Sequence, residues 1–195
     1  MKLNAKELRD VKEEDVTEQL KLIKRRPMYF ILENIYDTYN IGGLFRLADA
    51  LAIEKMYICG ESEIPPNSKI KKASIGTYKV VPWEYRKTAG EAIHELRSAA
   101  KTSEVFPPPA GGSPTSEVKI IAVEQAKNSV PYTQADYSGP VALVLGNETS
   151  GITEETLKLA DQIVEIPMWG INKSLNVIIS AAIVSYWAAN NVYRS

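Results

Sequence analysis

One cysteine, Cys59, and one histidine, His94, are all that 195 residues contain of those two types. A lone thiol excludes an internal disulfide framework, and without clustered Cys and His there is no spacing for a structural zinc site. A reducing, cytoplasmic setting is expected. Long apolar runs are missing as well: none reaches the roughly 18 residues needed to span a bilayer, and the N-terminus is charged. The reading is a soluble chain with no membrane partner. Charge of one sign is also lacking, with 23 Lys+Arg against 24 Asp+Glu. No global field draws such a chain to nucleic acid, so any attraction must come from local patches.

What is present is enough apolar material, 45% of residues, for one domain with a substantial core. Short β-branched runs alternate with helical patterns. Strands are predicted at 28–32, 55–59, 78–81, 118–123, 141–145 and 163–166, and helices at 41–51, 69–73, 89–100 and 175–193. Strands separated by helices predict an α/β fold, a mostly parallel sheet with helices on both faces. Ahead of this core, residues 4–26 read as an amphipathic helical extension capped by Asn4, with Leu8, Val11, Val16, Leu20 and Ile23 as its apolar stripe. It ends in Lys21, Lys24, Arg25 and Arg26, either solvated complements of the helix dipole or a phosphate-contacting patch. The domain itself is placed at 27–195. Within it, 102–117 carries a triple proline and a double glycine, which predicts an exposed loop inserted between elements.

Three clusters can carry chemistry, each just after a predicted strand. In open α/β sheets ligands sit at that carboxyl edge. The first cluster holds Asn34, Asn40, Gly42 and Arg46. Both asparagines suit turns or caps, whereas Arg46 sits in an apolar helical run and either points to solvent or pairs with something specific. The second, 145–152, has the glycine spacing of a phosphate loop, but Ile152-Thr153 stands where a lysine and a hydroxyl residue are needed, so nucleotide hydrolysis is rejected. Glu148 there either caps the helix that Thr153 starts or holds Arg46 in a bidentate pair. In the third, Ser174 reads as an N-cap, and with Asn176 at a helix start it can hold a ribose or a phosphate. No cysteine or histidine lies in any cluster, so thiol chemistry and histidine triads have no support.

Together the clusters resemble the SpoU, or TrmH, family of RNA ribose 2′-O-methyltransferases, in the SPOUT superfamily. The first motif looks like Asn34, Asn40, Gly42 and Arg46, the second like Leu145-Gly146-Asn147-Glu148 with Gly151, and the third like Ile166-Pro167-Met168 with Gly170 and Ser174-Leu175-Asn176-Val177. A loop at Ala73-Ser74-Ile75-Gly76-Thr77 is similar too, while Ala52 stands where the family commonly has glycine. The resemblance implies S-adenosylmethionine as methyl donor, a deep C-terminal trefoil knot, and an obligate homodimer whose active site draws on both subunits. It implies catalytic or positioning roles for Arg46, Asn40, Glu148, Ser174 and Asn176. Donor binding is expected on backbone groups around Leu145, Gly146, Ile166, Met168 and Leu175, with no metal. A transfer RNA is the expected substrate ahead of ribosomal RNA, with Lys69, Lys71 and Lys72 and the N-terminal helix as candidate RNA contacts. The rival readings are a non-catalytic RNA-binding relative and an unrelated α/β enzyme acting on a small nucleotide.

Overall fold

Residues 28–33 are buried without a break. Successive strand side chains point to opposite faces, so unbroken burial means that both faces are covered. The computed structural model describes residues 2–10, 20, 23–101 and 117–191. In chain order the elements are α1 (Ala5–Asp10), β1 (Arg26–Glu33), α2 (Thr38–Leu51), β2 (Ile53–Cys59), α3 (Ser68–Ser74), β3 (Trp83–Arg86), α4 (Ala89–Lys101), β4 (Lys119–Val123), β5 (Val130–Pro131), β6 (Val141–Leu145), α5 (Glu154–Leu157), β7 (Gln162–Glu165) and α6 (Val177–Asn191). The strands form one seven-stranded sheet in the order β3-β2-β1-β6-β4-β7-β5. Every pairing in it is parallel. This is the expected α/β class, and it sends all the strand carboxyl ends to one edge.

The alternation of side chains divides the core into two layers. Phe30, Leu32, Leu143 and Leu145 pack with Leu44, Phe45 and Ala48 of α2 and with Ala181 and Val184 of α6. Tyr29, Ile31, Ala142 and Val144 face the other way, against Ala92, Ile93 and Leu96 of α4. Each fully buried large apolar side chain contributes about 1.5–3 kcal/mol, so the central pair β1 and β6 anchors the sheet.

Some boundaries differ from the sequence expectation. The strand expected at 78–81 is instead a 3-10 turn, Thr77–Lys79, and the sheet strand is Trp83–Arg86. Gly76 at φ 99° turns the chain there, and the Thr77 hydroxyl donates to Ser74 O at 2.8 Å. Val80 and Val81 are buried all the same, which is why their apolar pattern resembles a strand. β5, two residues long at the sheet edge, has too little pattern to be read from sequence. Of the N-terminal helix, Ala5–Asp10 and Leu20 are helical among the described residues, with 11–19 and 21–22 lying outside them. Asn4 caps it, its Oδ1 accepting from the N–H groups of Lys6 and Glu7. The helix does not run on to Arg26, which begins β1. Arg25 is a structural clamp rather than a phosphate contact: its guanidinium donates to Ile53 O at 3.0 Å and Val80 O at 2.8 Å. The expected insertion lies outside the described residues except for Glu117, which is exposed.

Candidate active site

The loop after β6 is built by its own asparagine. Asn147 Oδ1 accepts from the N–H of Thr149 and of Ser150, at 2.8 and 2.9 Å, and its carbonyl accepts from Gly151 N. The chain thereby doubles back on itself so tightly that a Cβ at Gly146 would lie 2.6 Å from the Gly151 carbonyl carbon and the Ile152 nitrogen. Only glycine fits there. Asn147 Nδ2 then donates to Asn34 O at 2.8 Å, fastening this loop to the end of β1. From the end of β4, Glu124 Oε2 accepts from Ile152 N at 3.0 Å. Thr153 caps α5, its Oγ1 accepting from Thr156 N, and buried Glu33 accepts from both threonine hydroxyls. Glu33 also helps burial to push the Cys59 thiol up to about 12, which keeps it protonated and inert.

Two glycines bring α2 close to its neighbours. A Cβ at Gly42 would lie 2.5 Å from Ala73 Cβ on α3, and one at Gly43 would collide with the Ile178 side chain of α6. That approach sets Asn40 beside Asn176. Asn176 Nδ2 donates to Asn40 Oδ1 at 3.0 Å, and Asn40 Nδ2 donates to Glu148 Oε1 at 2.5 Å. One side-chain chain thus crosses all three sequence clusters. Asn40 at its centre is only 6% exposed, so neither amide group has water as an alternative partner.

The bridge also corrects the expected pairings. Glu148 is held by Asn40, not by Arg46, and the cap of α2 is Asp37, whose side chain accepts from Tyr39 N, so Asn40 lies inside the first turn. Ser174 is not the cap of α6: Asn176 Oδ1 accepts from Ile178 N at 2.9 Å, and the helix starts at Val177. Arg46, further along α2, is exposed, and its side chain makes no hydrogen bond or ion pair with any described residue.

A cavity of about 360 Å³ opens at this sheet edge, within the range of small-molecule sites. Leu145, Gly146, Ile166, Met168 and Leu175 line it, as do Glu148 and Ser174; Asn40, Arg46 and Asn176 do not. The structure adds Glu124, Gln125 and Lys173, which the sequence reading missed. Gln125 Nε2 donates to Lys173 O at 2.7 Å and ties the third loop to the end of β4. Their signal was positional only: Glu124 and Gln125 are the first residues past an apolar strand adjacent to β6. A second cavity, about 600 Å³, lies across the 146–153 loop, lined among others by Asn34, Tyr36 and Lys87. It is larger, yet of the three sequence clusters it draws on the first only, whereas the second and third meet at the smaller cavity.

Comparison with known proteins agrees with this geometry. The chain is 28% identical to the tRNA (guanosine(18)-2′-O)-methyltransferase of Escherichia coli K12 over 171 residues, covering 86% of this chain and 65% of that protein. It is 25% identical to a 23S rRNA guanosine 2′-O-methyltransferase of Ralstonia nicotianae, covering 89% of this chain and 63% of the other. It spans less than two-thirds of the length of either relative. An AdoMet-bound rRNA methyltransferase structure from Sinorhizobium meliloti superimposes with a TM-score of 0.72 at 26% identity, covering 94% of this chain and 59% of that one. The family model described as "SpoU rRNA Methylase family" matches residues 27–186, from the start of β1 well into α6. That match takes in all three loops joined by the Asn40 bridge, and the chain belongs to the SpoU methylase family.

Proposed function

We propose that this protein is an S-adenosylmethionine-dependent RNA methyltransferase acting on a ribose 2′-hydroxyl, with transfer RNA as its substrate. The observation that carries the reading is the hydrogen-bonded bridge Asn176–Asn40–Glu148 beside a cavity lined by all five expected donor-site residues. Ribosomal RNA is the second reading, favoured by the ribosomal enzyme among the relatives.

The cavity suits the donor. Leu145, Ile166, Met168 and Leu175 supply an apolar wall for an adenine, and the missing Cβ at Gly146 lets ligand atoms approach backbone at the strand end. S-adenosylmethionine supplies an already electrophilic methyl group. The harder task falls to the protein, because a ribose hydroxyl is a poor acid and must lose its proton as it attacks. A guanidinium is a donor with no basic lone pair to offer, so the role of Arg46 is to orient that hydroxyl and stabilise the negative charge developing on oxygen. Its exposed side chain has no competing partner among the described residues to give up. Glu148 stands in the cavity wall with one oxygen held by Asn40, and Ser174 offers a hydroxyl to ribose or phosphate. Asn40 and Asn176 act through position, holding Glu148 and the start of α6.

Arg46 does not line this chain's own cavity, which supports a site completed by a second copy in a homodimer. The surface of α6 supports it too. That helix carries no charged residue, and Ile179, Tyr186 and Trp187 remain 49%, 49% and 38% exposed on it. A large uncharged face of this kind fits a subunit contact. A knotted C-terminal path is favoured by the way residues 166–176 pass from β7 across the end of β4, where Gln125 holds Lys173, to the start of α2, where Asn40 meets Asn176. The methyltransferase domain is placed at 27–195, with 1–26 as an extension, and the family match beginning at residue 27 supports that division. A cytoplasmic setting follows from the RNA substrate. Among the described residues no helix is long and apolar enough to cross a membrane.

The test is to incubate the protein with bulk transfer and ribosomal RNA and methyl-labelled donor, beside Arg46→Ala. Label on ribose oxygen of transfer RNA that is lost in the variant supports the proposal. Donor binding without transfer to any RNA refutes it.

A further inference from the structure

The third loop carries an apolar tip that nothing among the described residues covers. Trp169 is 92% exposed and Ile171 fully so, and around Gly170 between them no atom lies within 4 Å of where a Cβ would stand. The tip is nevertheless tied to the cavity on both sides, because Met168 and Lys173 both line it and Gln125 holds Lys173 O. Trp169 therefore stands at the cavity rim. The cavity lining itself contains no aromatic side chain.

If the reading above holds, a ribose 2′-oxygen must reach into this cavity. The base is joined to the ribose carbon next to the one bearing that oxygen, so a target nucleotide brings its base to the rim with it. A base drawn out of its own stack needs a flat apolar partner in exchange. We propose that Trp169 is that partner: its indole stacks on the base of the nucleotide being methylated and positions the ribose, with Lys173 supplying a positive charge to the adjoining phosphate. The inference rests on the proposed function, since it requires RNA at this cavity. RNA is favoured over a protein surface because the tip pairs an indole with a cation at the one edge where a nucleotide has to enter.

Trp169→Ala and Trp169→Phe are the variants, and the probe is the unmodified transfer RNA that the wild type labels. Trp169→Ala is expected to raise KM for RNA about tenfold or more, with Trp169→Phe recovering most of the loss. Donor affinity by calorimetry and oligomeric state by ultracentrifugation should not change. Trp169 is the most exposed of the three tryptophans. RNA should therefore quench the wild-type fluorescence, and Trp169→Phe should remove most of that quenching. A loss of donor affinity at constant KM for RNA would make the tip a cover for the donor, and weakened self-association would make it a subunit contact; either overturns the proposal, as does an unchanged KM. If the wild type transfers no methyl group to any RNA, the proposed function fails. The stacking inference is then decided by quenching with bulk transfer RNA, and absence of quenching overturns it.

Discussion

Asn40 and Arg46 share one helix and belong to one sequence motif, yet the structure treats them in opposite ways. Asn40 is buried, with its amide oxygen and nitrogen each committed to another loop; the Arg46 side chain is exposed and, among the described residues, uncommitted. The difference separates two tasks. Shaping the cavity is finished within one chain, where the bridge holds the second and third loops in place. On the proposed function, supplying charge to the reacting oxygen falls to a side chain that meets the cavity of a second copy.

Replacing the two residues should therefore have different signatures. Arg46→Ala should lower methyl transfer about a thousandfold, while leaving the unfolding temperature within about a degree, because no buried contact is lost. Arg46→Lys should recover little, since an ammonium lacks the planar fork. Equal losses of activity and stability would show that the arginine is structural. On the cavity side, Gly146→Ala should weaken donor binding about a hundredfold in a calorimetric titration, because its Cβ would be driven into backbone 2.6 Å away. Unchanged binding would mean that the donor sits elsewhere. Asn40→Ala should do both kinds of damage: transfer falls about tenfold or more and stability by about 1 kcal/mol, since two hydrogen bonds made by a buried amide are lost while Glu148 and Asn176, both exposed, can turn to water. Thermal unfolding that loses no stability would break the comparison. The smallest effect is expected at Ala52, which ends α2 at φ 50°. Ala52→Gly should stabilise the fold by about 0.5–1 kcal/mol and leave activity unchanged, because glycine adopts that conformation without strain.

The same contrast shows what could be read without coordinates. Parallel strands covered on both faces write themselves as unbroken apolar runs, so 141–145 was legible to the residue. That Leu145, Gly146, Ile166, Met168 and Leu175 gather at one strand-end cavity was legible because loops at strand ends carry short motifs. The bridge was not: Asn40, Glu148 and Asn176 are each adequate as a local cap or turn residue, and nothing local says that Asn40 spans the other two. The expected pair of Glu148 with Arg46 was chemically sound but lost to geometry, since the Asn40 amide reaches Glu148 first. Glu124 and Gln125 follow an ordinary strand with no motif of their own, and only the strand order β1-β6-β4 brings them to the cavity.

The most direct test of this division of labour is a mixed dimer. Two differently tagged chains, one Arg46→Ala and the other Gly146→Ala, are co-expressed, the dimer carrying both tags is isolated, and methyl transfer to RNA is compared with wild type. With donor at a concentration that fills only the wild-type cavity, and if Arg46 of one copy completes the cavity of the other, this dimer keeps one intact site and shows about half the wild-type rate, although each variant alone is nearly inactive. A mixed dimer as inactive as its parents would contradict the account.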